Sequence, residues 1–188
     1  PAPDTFNRMK KKIENTEEFK KGDIKLFNIA IDNNNSKQKF YYYKHHTISS
    51  LLPSDSKSKF YKSRELASKS KKNDFEKVLE VQTKKIDDFC KELNINHIDI
   101  LKIDVQGTED RVLEGCKELL SRQKIKLIRI ELILGFAYKK NLAFYDIEKT
   151  LTPFGYKLIL IENGGNLISY SNYQTDLIYV RNDIEEKI

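Results

Sequence analysis

Asp104, Gln106, Gly107 and Glu109 lie within six residues of one another, in ILKIDVQGTEDRVLEG (100–115). An apolar run ends in an acid, a glycine follows, and a helix opens. In open α/β sheets ligands gather beyond the carboxyl ends of the strands, so an acid at such an end is placed for chemistry. Gly107 allows a sharp turn and a close approach of backbone to ligand. Glu109 falls in the first helical turn, where a negative charge suits the helix dipole. A second acid, Glu131, interrupts the apolar run LIRIELIL (127–134). A carboxylate there is costly unless it is paired or faces a polar cleft. On neighbouring strands, Asp104 and Glu131 would converge, and two such acids can orient a cation, position a hydroxyl or accept a proton. The residues alone equally allow Asp104 and Glu109 only to cap the turn, and Glu131 to pair with Arg129 or a lysine. No tight ligand motif accompanies these acids, so no metal is expected.

The elements that must position these groups follow from periodicity. Phe6, Met9 and Ile13 share one face of an amphipathic helix over 4–15. DIKLFNIAI (23–31) reads as a buried strand and FYYY (40–43) as a second, joined through NNNS (33–36) in a hairpin. Residues 45–76 read as a lid or variable loop, since loops of such length are usually functional or disordered. KVLEVQ (77–82) is a short strand, 86–93 a helix, and 97–105 a strand. The helix opening at Glu109, with Thr108 as N-cap, carries its apolar stripe past Gly115 to Leu120. A strand at 126–134, a helix at 145–151 stopped by Pro153 and Gly155, and strands at 156–162 and 175–181 complete the chain, the last two joined through NGGN (163–166). Strands alternating with helices predict an α/β fold, with the last strand antiparallel.

Composition narrows the function. The 188 residues suit one domain and carry a formal charge of +6. Lysines are interleaved with acids and no aromatic-lined basic groove is evident, so a nucleic-acid partner is not expected. No stretch approaches the roughly 20 apolar residues of a membrane span. No secretory leader is evident, and Cys90 and Cys116 sit on apolar helical faces as reduced core residues, so a cytoplasmic setting is expected. Oligomeric state is left open.

The segment TKKIDDFCKELNINHIDILKIDVQGTEDRVLEGCKELL (83–120) closely resembles the FkbM-type methyltransferase family, in which an apolar strand ends in Ile-Asp-Val-Glu-Gly. IELI (130–133), DIEKTLTPFGYKLILI (146–161) and TDLIYV (175–180) match the later course, LFNIAID (26–32) an earlier strand, and SSL (49–51) a serine pair. The resemblance runs in order along nearly the whole chain. Gln106 departs from it, standing where the family has glutamate. The resemblance implies a Rossmann-like class I methyltransferase fold: a three-layer sandwich with a mostly parallel sheet and an antiparallel last strand. It also implies that residues 1–188 are a single domain lacking its N-terminal cofactor-loop portion. PAPDTF (1–6) resembles the stretch just after the acid that holds the cofactor ribose, so the first two strands and the glycine-rich loop would precede Pro1.

The implied cofactor is S-adenosylmethionine, and the implied reaction is O-methylation of a small-molecule or glycan hydroxyl. Asn28 and Ala30 would border the adenine. Asp104 would lie near both sulfonium and acceptor, with Glu131 and Glu109 orienting the acceptor. His45, Ser49, Ser50 and Gln106 would contribute to the acceptor wall. His45 and His46, adjacent on an extended segment, point to opposite faces, which argues against a shared metal site. The alternative is a noncatalytic, methyltransferase-like binding module.

Overall fold

The computed structural model describes residues 1–43, 48–55, 57, 75–134, 138, 142–162 and 174–185. Its strands are β1 (Ala30–Ile31), β2 (Lys37–Tyr43), β3 (Phe75–Lys84), β4 (Ile98–Ile103), β5 (Ile125–Ile133), β6 (Tyr156–Glu162) and β7 (Gln174–Arg181). Its helices are α1 (Pro3–Asn15), α2 (Glu17–Lys20), α3 (Ile86–Glu92), α4 (Glu109–Glu114), α5 (Lys117–Ser121), α6 (Phe144–Leu151) and α7 (Asn182–Glu185). The strands form two sheets, β1-β3-β2 and β4-β5-β7-β6, so the chain is a mixed α/β protein.

The larger sheet carries the core. β4 and β5 are parallel, and β7 is inserted antiparallel between β5 and β6. On β5, Ile128, Ile130 and Leu132 alternate onto one buried face, as a period of two requires. That face packs Val112 and Leu113 of α4, Leu120 of α5 and Ile147 and Leu151 of α6, together with Cys90 of α3. The opposite face of the same strand holds Leu127, Arg129 and Glu131, each only half-buried. Cys90 and Cys116 are free and buried, and burial pushes both thiols up, away from reactive thiolate.

The structure corrects several sequence expectations. The sheets are not mostly parallel: among the described strands only β1–β3 and β4–β5 pair in parallel, and β2–β3, β5–β7 and β6–β7 pair antiparallel. The stretch 23–31 is a strand only at Ala30–Ile31; residues 23–29 are irregular and mostly exposed. It forms no hairpin with β2, because β3 lies between them, parallel to β1 and antiparallel to β2. The turn at 33–36 is tied to β3 instead: the Thr83 hydroxyl donates to the Asn34 carbonyl at 2.9 Å, and the Thr83 N–H to the Ser36 carbonyl at 2.7 Å. The helix expected to run past Gly115 breaks there into α4 and α5. A Cβ at Gly115 would sit 2.3 Å from the Asp32 carbonyl oxygen, so this glycine lets the end of β1 press against the break. Asp87 of α3 then caps α5, its carboxylate accepting from the N–H groups of Glu118 and Leu119 at 2.9 and 3.0 Å. The turn expected at 163–166 and most of the 45–76 segment lie outside the described residues.

The two sheets are joined by a buried ion pair. Asp32, fully buried just after β1, accepts from the Arg111 guanidinium of α4 and from the Gln38 amide of β2. Arg111 also donates to the Gln38 side-chain oxygen at 2.8 Å. Removing one partner of a buried pair leaves an uncompensated charge, whereas replacing both does not. Arg111→Met is therefore expected to destabilise the protein by about 3–5 kcal/mol in urea unfolding, and Asp32→Leu combined with Arg111→Met to recover most of that loss.

Candidate active site

The register of β4 and β5 builds the site. Ile103 pairs with Ile130, so the following residues, Asp104 and Glu131, come side by side at the carboxyl end of β4. Strand alternation places Lys102 on the same side as Asp104, and its ammonium donates to Asp104 Oδ2 at 2.7 Å. After Asp104 the backbone turns through two left-handed residues, Gln106 (φ 60°) and Gly107 (φ 99°). Glycine adopts such a conformation freely, but glutamine there is strained, as is common at sites where geometry is imposed by function.

Several groups hold this turn. Glu109 is almost fully buried, and its carboxylate accepts from the Gly107 N–H at 3.1 Å through both oxygens and from the Val105 N–H at 3.3 Å. Ser50 donates from its hydroxyl to the Gln106 carbonyl at 2.7 Å and accepts from the Leu52 N–H at 3.0 Å. The Tyr138 ring covers Gly107, where an added Cβ would lie 2.8 Å from the ring. The Thr108 hydroxyl, expected to cap α4, is buried without a hydrogen-bond partner among the described residues. Glu109 closes the turn in its place.

The Gln106 side chain bridges the acids. Its amide nitrogen donates to Asp104 Oδ1 at 2.9 Å and to Glu131 Oε2 at 2.7 Å. Burial pushes Glu131 up to about 7, and the adjacent Asp104 charge pushes in the same direction. For Asp104, burial opposes ionisation, but hydrogen bonds from Lys102 and Gln106, the Lys102 charge and the hydrogen bond with Glu131 outweigh it and hold this acid below its usual range. These opposite pushes favour the charge on Asp104 and the proton on Glu131. Burial also raises Glu109, against the three backbone N–H groups that stabilise its charge.

A hollow of about 790 Å³ opens in front of this pair. Asp104, Gln106, Glu131, Ser49 and Gln174 line its polar part; Phe6, Leu26, Phe27, Ala30 and Phe40 are among its apolar wall residues. A largely apolar pocket with a few converging polar groups is the usual form of a small-molecule site. The structure thus brings together Asp104, Glu131, Gln106, Ser49 and Ala30. Ser49 accepts from the Tyr43 N–H at 3.1 Å. Ser50 and Glu109 lie behind the turn and support its backbone, away from the hollow. Asn28 is exposed and does not line the hollow. His45 lies outside the described residues. Arg129 pairs with Asp176 and Glu162 at 2.6 and 3.0 Å, and not with Glu131. Tyr138 escaped the sequence reading, because no local pattern links it to the turn. Lys102 was legible from strand alternation alone. Among the described residues no group of three His, Cys, Asp or Glu side chains is arranged to hold a metal ion, and no helix is long and apolar enough to cross a membrane.

The raised Glu131 acid carries a stability signature. Between its ordinary value of 4.5 and about 7, the folded chain holds a proton that the unfolded chain has lost. Stability therefore falls as pH rises through this window. Glu131→Gln removes that contribution, and thermal unfolding from pH 4 to pH 8 should show a flatter profile for the variant than for the unaltered chain.

Comparison with known proteins places the same segment in context. A match to the methyltransferase FkbM domain spans residues 1–158. The 2-O-methyltransferase NoeI of Sinorhizobium fredii (strain NBRC 101917 / NGR234) is 38% identical over 50 residues, which is 27% of this chain and 21% of NoeI. The match thus spans about a fifth of the length of that curated relative. No solved structure matches significantly. With this match covering most of the chain, from the first helix across the acid-bearing turn to the start of β6, the chain belongs to the methyltransferase FkbM domain family.

Proposed function

We propose that this chain carries the acceptor side of an S-adenosylmethionine-dependent methyltransferase that methylates a hydroxyl of a small molecule or glycan. One observation carries the reading: two carboxyls bridged by a single amide meet at the polar end of a largely apolar hollow, with burial raising Glu131 and Lys102 holding Asp104 low. The name of the matched relative, a 2-O-methyltransferase, supports a hydroxyl acceptor.

The residues present fit one end of the cofactor. Asp104 supplies negative charge suited to a sulfonium, and Ala30 and Phe27 belong to an apolar wall suited to a purine. S-adenosylmethionine, when bound, supplies an electrophilic methyl on a positively charged sulfur. Glu131 in its ionised form accepts the proton of the acceptor hydroxyl as that oxygen acquires the methyl, so the proton ends on the Glu131 carboxyl. Asp104 stays charged, held by Lys102, and accepts a hydrogen bond from a neighbouring hydroxyl of the acceptor. Gln106 keeps both carboxyls oriented, and the apolar wall limits water at the reacting oxygen.

In the full-length protein, Glu131→Gln is expected to lower methyl transfer to a hydroxyl by about 100-fold or more, the range of general-base catalysis. The unaltered rate should rise with pH through about 7, because only ionised Glu131 accepts the proton. Asp104→Ala should reduce turnover more than cofactor affinity; equal losses would place Asp104 in cofactor binding.

A further inference from the structure

We propose that Tyr138 is a positioning residue for the carboxyl pair, acting through the Gln106 amide. The inference rests on the reading of Asp104 and Glu131 as the working acids, and it adds a residue that touches neither of them. The Tyr138 hydroxyl lies 3.3 Å from Gln106 Oε1 and 3.2 Å from the Ile48 carbonyl oxygen, with its ring buried against Gly107. Both neighbours are acceptors, so the single hydroxyl proton is shared between them.

A side-chain amide can bind in two orientations that differ by a half-turn. In the observed orientation its two N–H bonds meet Asp104 and Glu131. Reversed, its oxygen would face two carboxyls, and its nitrogen would face the tyrosine. A hydroxyl that donates to Oε1 selects the first orientation. The backbone of Gln106 is fixed independently, by the Ser50 hydroxyl on its carbonyl and by Glu109 beneath the turn. The Tyr138 hydroxyl therefore acts on the one remaining freedom, the rotation of the amide.

The geometry has a titration consequence. Among the described residues, the charged and titratable groups around Glu131 and its hollow are Asp104 and Lys102 from the β4 strand end, Asp176 opposite it on β7, which Arg129 holds, and Lys25 and the Pro1 amine on the wall of the hollow. Gln106 is the neutral donor among them, and its hydrogen bond favours the ionised form of Glu131. An amide free to rotate donates less, so the Glu131 carboxyl should ionise at higher pH.

The test is a carboxyl ¹³C chemical-shift titration of Glu131 in the 188-residue chain, with no cofactor or acceptor needed. Tyr138→Phe keeps the ring over Gly107 and deletes only the hydroxyl. It should raise the Glu131 midpoint by about half a unit to one unit, the equivalent of one hydrogen bond. Gln106→Asn, shortened and tolerant of left-handed backbone, should raise it comparably. The double variant should show no further rise, because both changes remove the same donor. An unchanged midpoint in Tyr138→Phe, or additive shifts in the double variant, would overturn the proposal. Thermal unfolding of each variant establishes that it is folded. A raised, non-additive midpoint in a full-length protein that methylates no hydroxyl would sink the methyltransferase reading and leave the role of Tyr138 standing.

Discussion

The site depends on two carboxyls that the register of the sheet forces together. Parallel pairing of Ile103 with Ile130 makes Asp104 and Glu131 neighbours, and partial burial makes their double ionisation costly. The surrounding geometry answers that one constraint. Lys102 holds the charged member, Gln106 bridges the two, and Glu109, Ser50 and Tyr138 keep the turn that carries Gln106 in a strained conformation. Without the register, the same residues would be ordinary surface acids beside a lysine.

Local physics made part of this legible in the sequence. The apolar runs at 98–103 and 125–133 gave the two strands, and acids within or just after such runs marked where their ends converge. The N-terminal helix, α3 and α6 followed from apolar spacing, within a residue or two at their ends. The gaps are of two physical kinds. For Glu109 the residues left two readings open, closing the turn or orienting an acceptor, because spacing does not say where a carboxylate points; its bonds to backbone N–H groups match the first. The hairpin of 23–31 with 40–43 failed because a strand some 40 residues further along competes for both partners and wins. Arg111 and Tyr138 belong to the second kind, since each acts on a residue distant in sequence, and periodicity carries no such information.

Gln106 stands between the two acids as a neutral bridge. A third carboxylate at that position would crowd negative charge around a pair that already cannot ionise together comfortably. An amide offers two donors instead, so the proton on Glu131 is governed by its immediate neighbours and by solvent exposure alone. The hollow then combines one firmly charged acid with one that changes state near neutrality, which is the division expected where one group attracts a cation and another handles a proton.

The Asp32–Arg111 connection has a consequence for how the chain assembles. Its two ends are 79 positions apart, and β5 and β7 pair across 41 to 53 positions. Contacts with such wide loops form only after much chain entropy has been lost, which places them late on the route to the native state. The seam between the sheets should therefore govern the rate of escape from the native basin more than the rate of entry, making it the natural place from which kinetic persistence could be tuned without slowing the search for the fold.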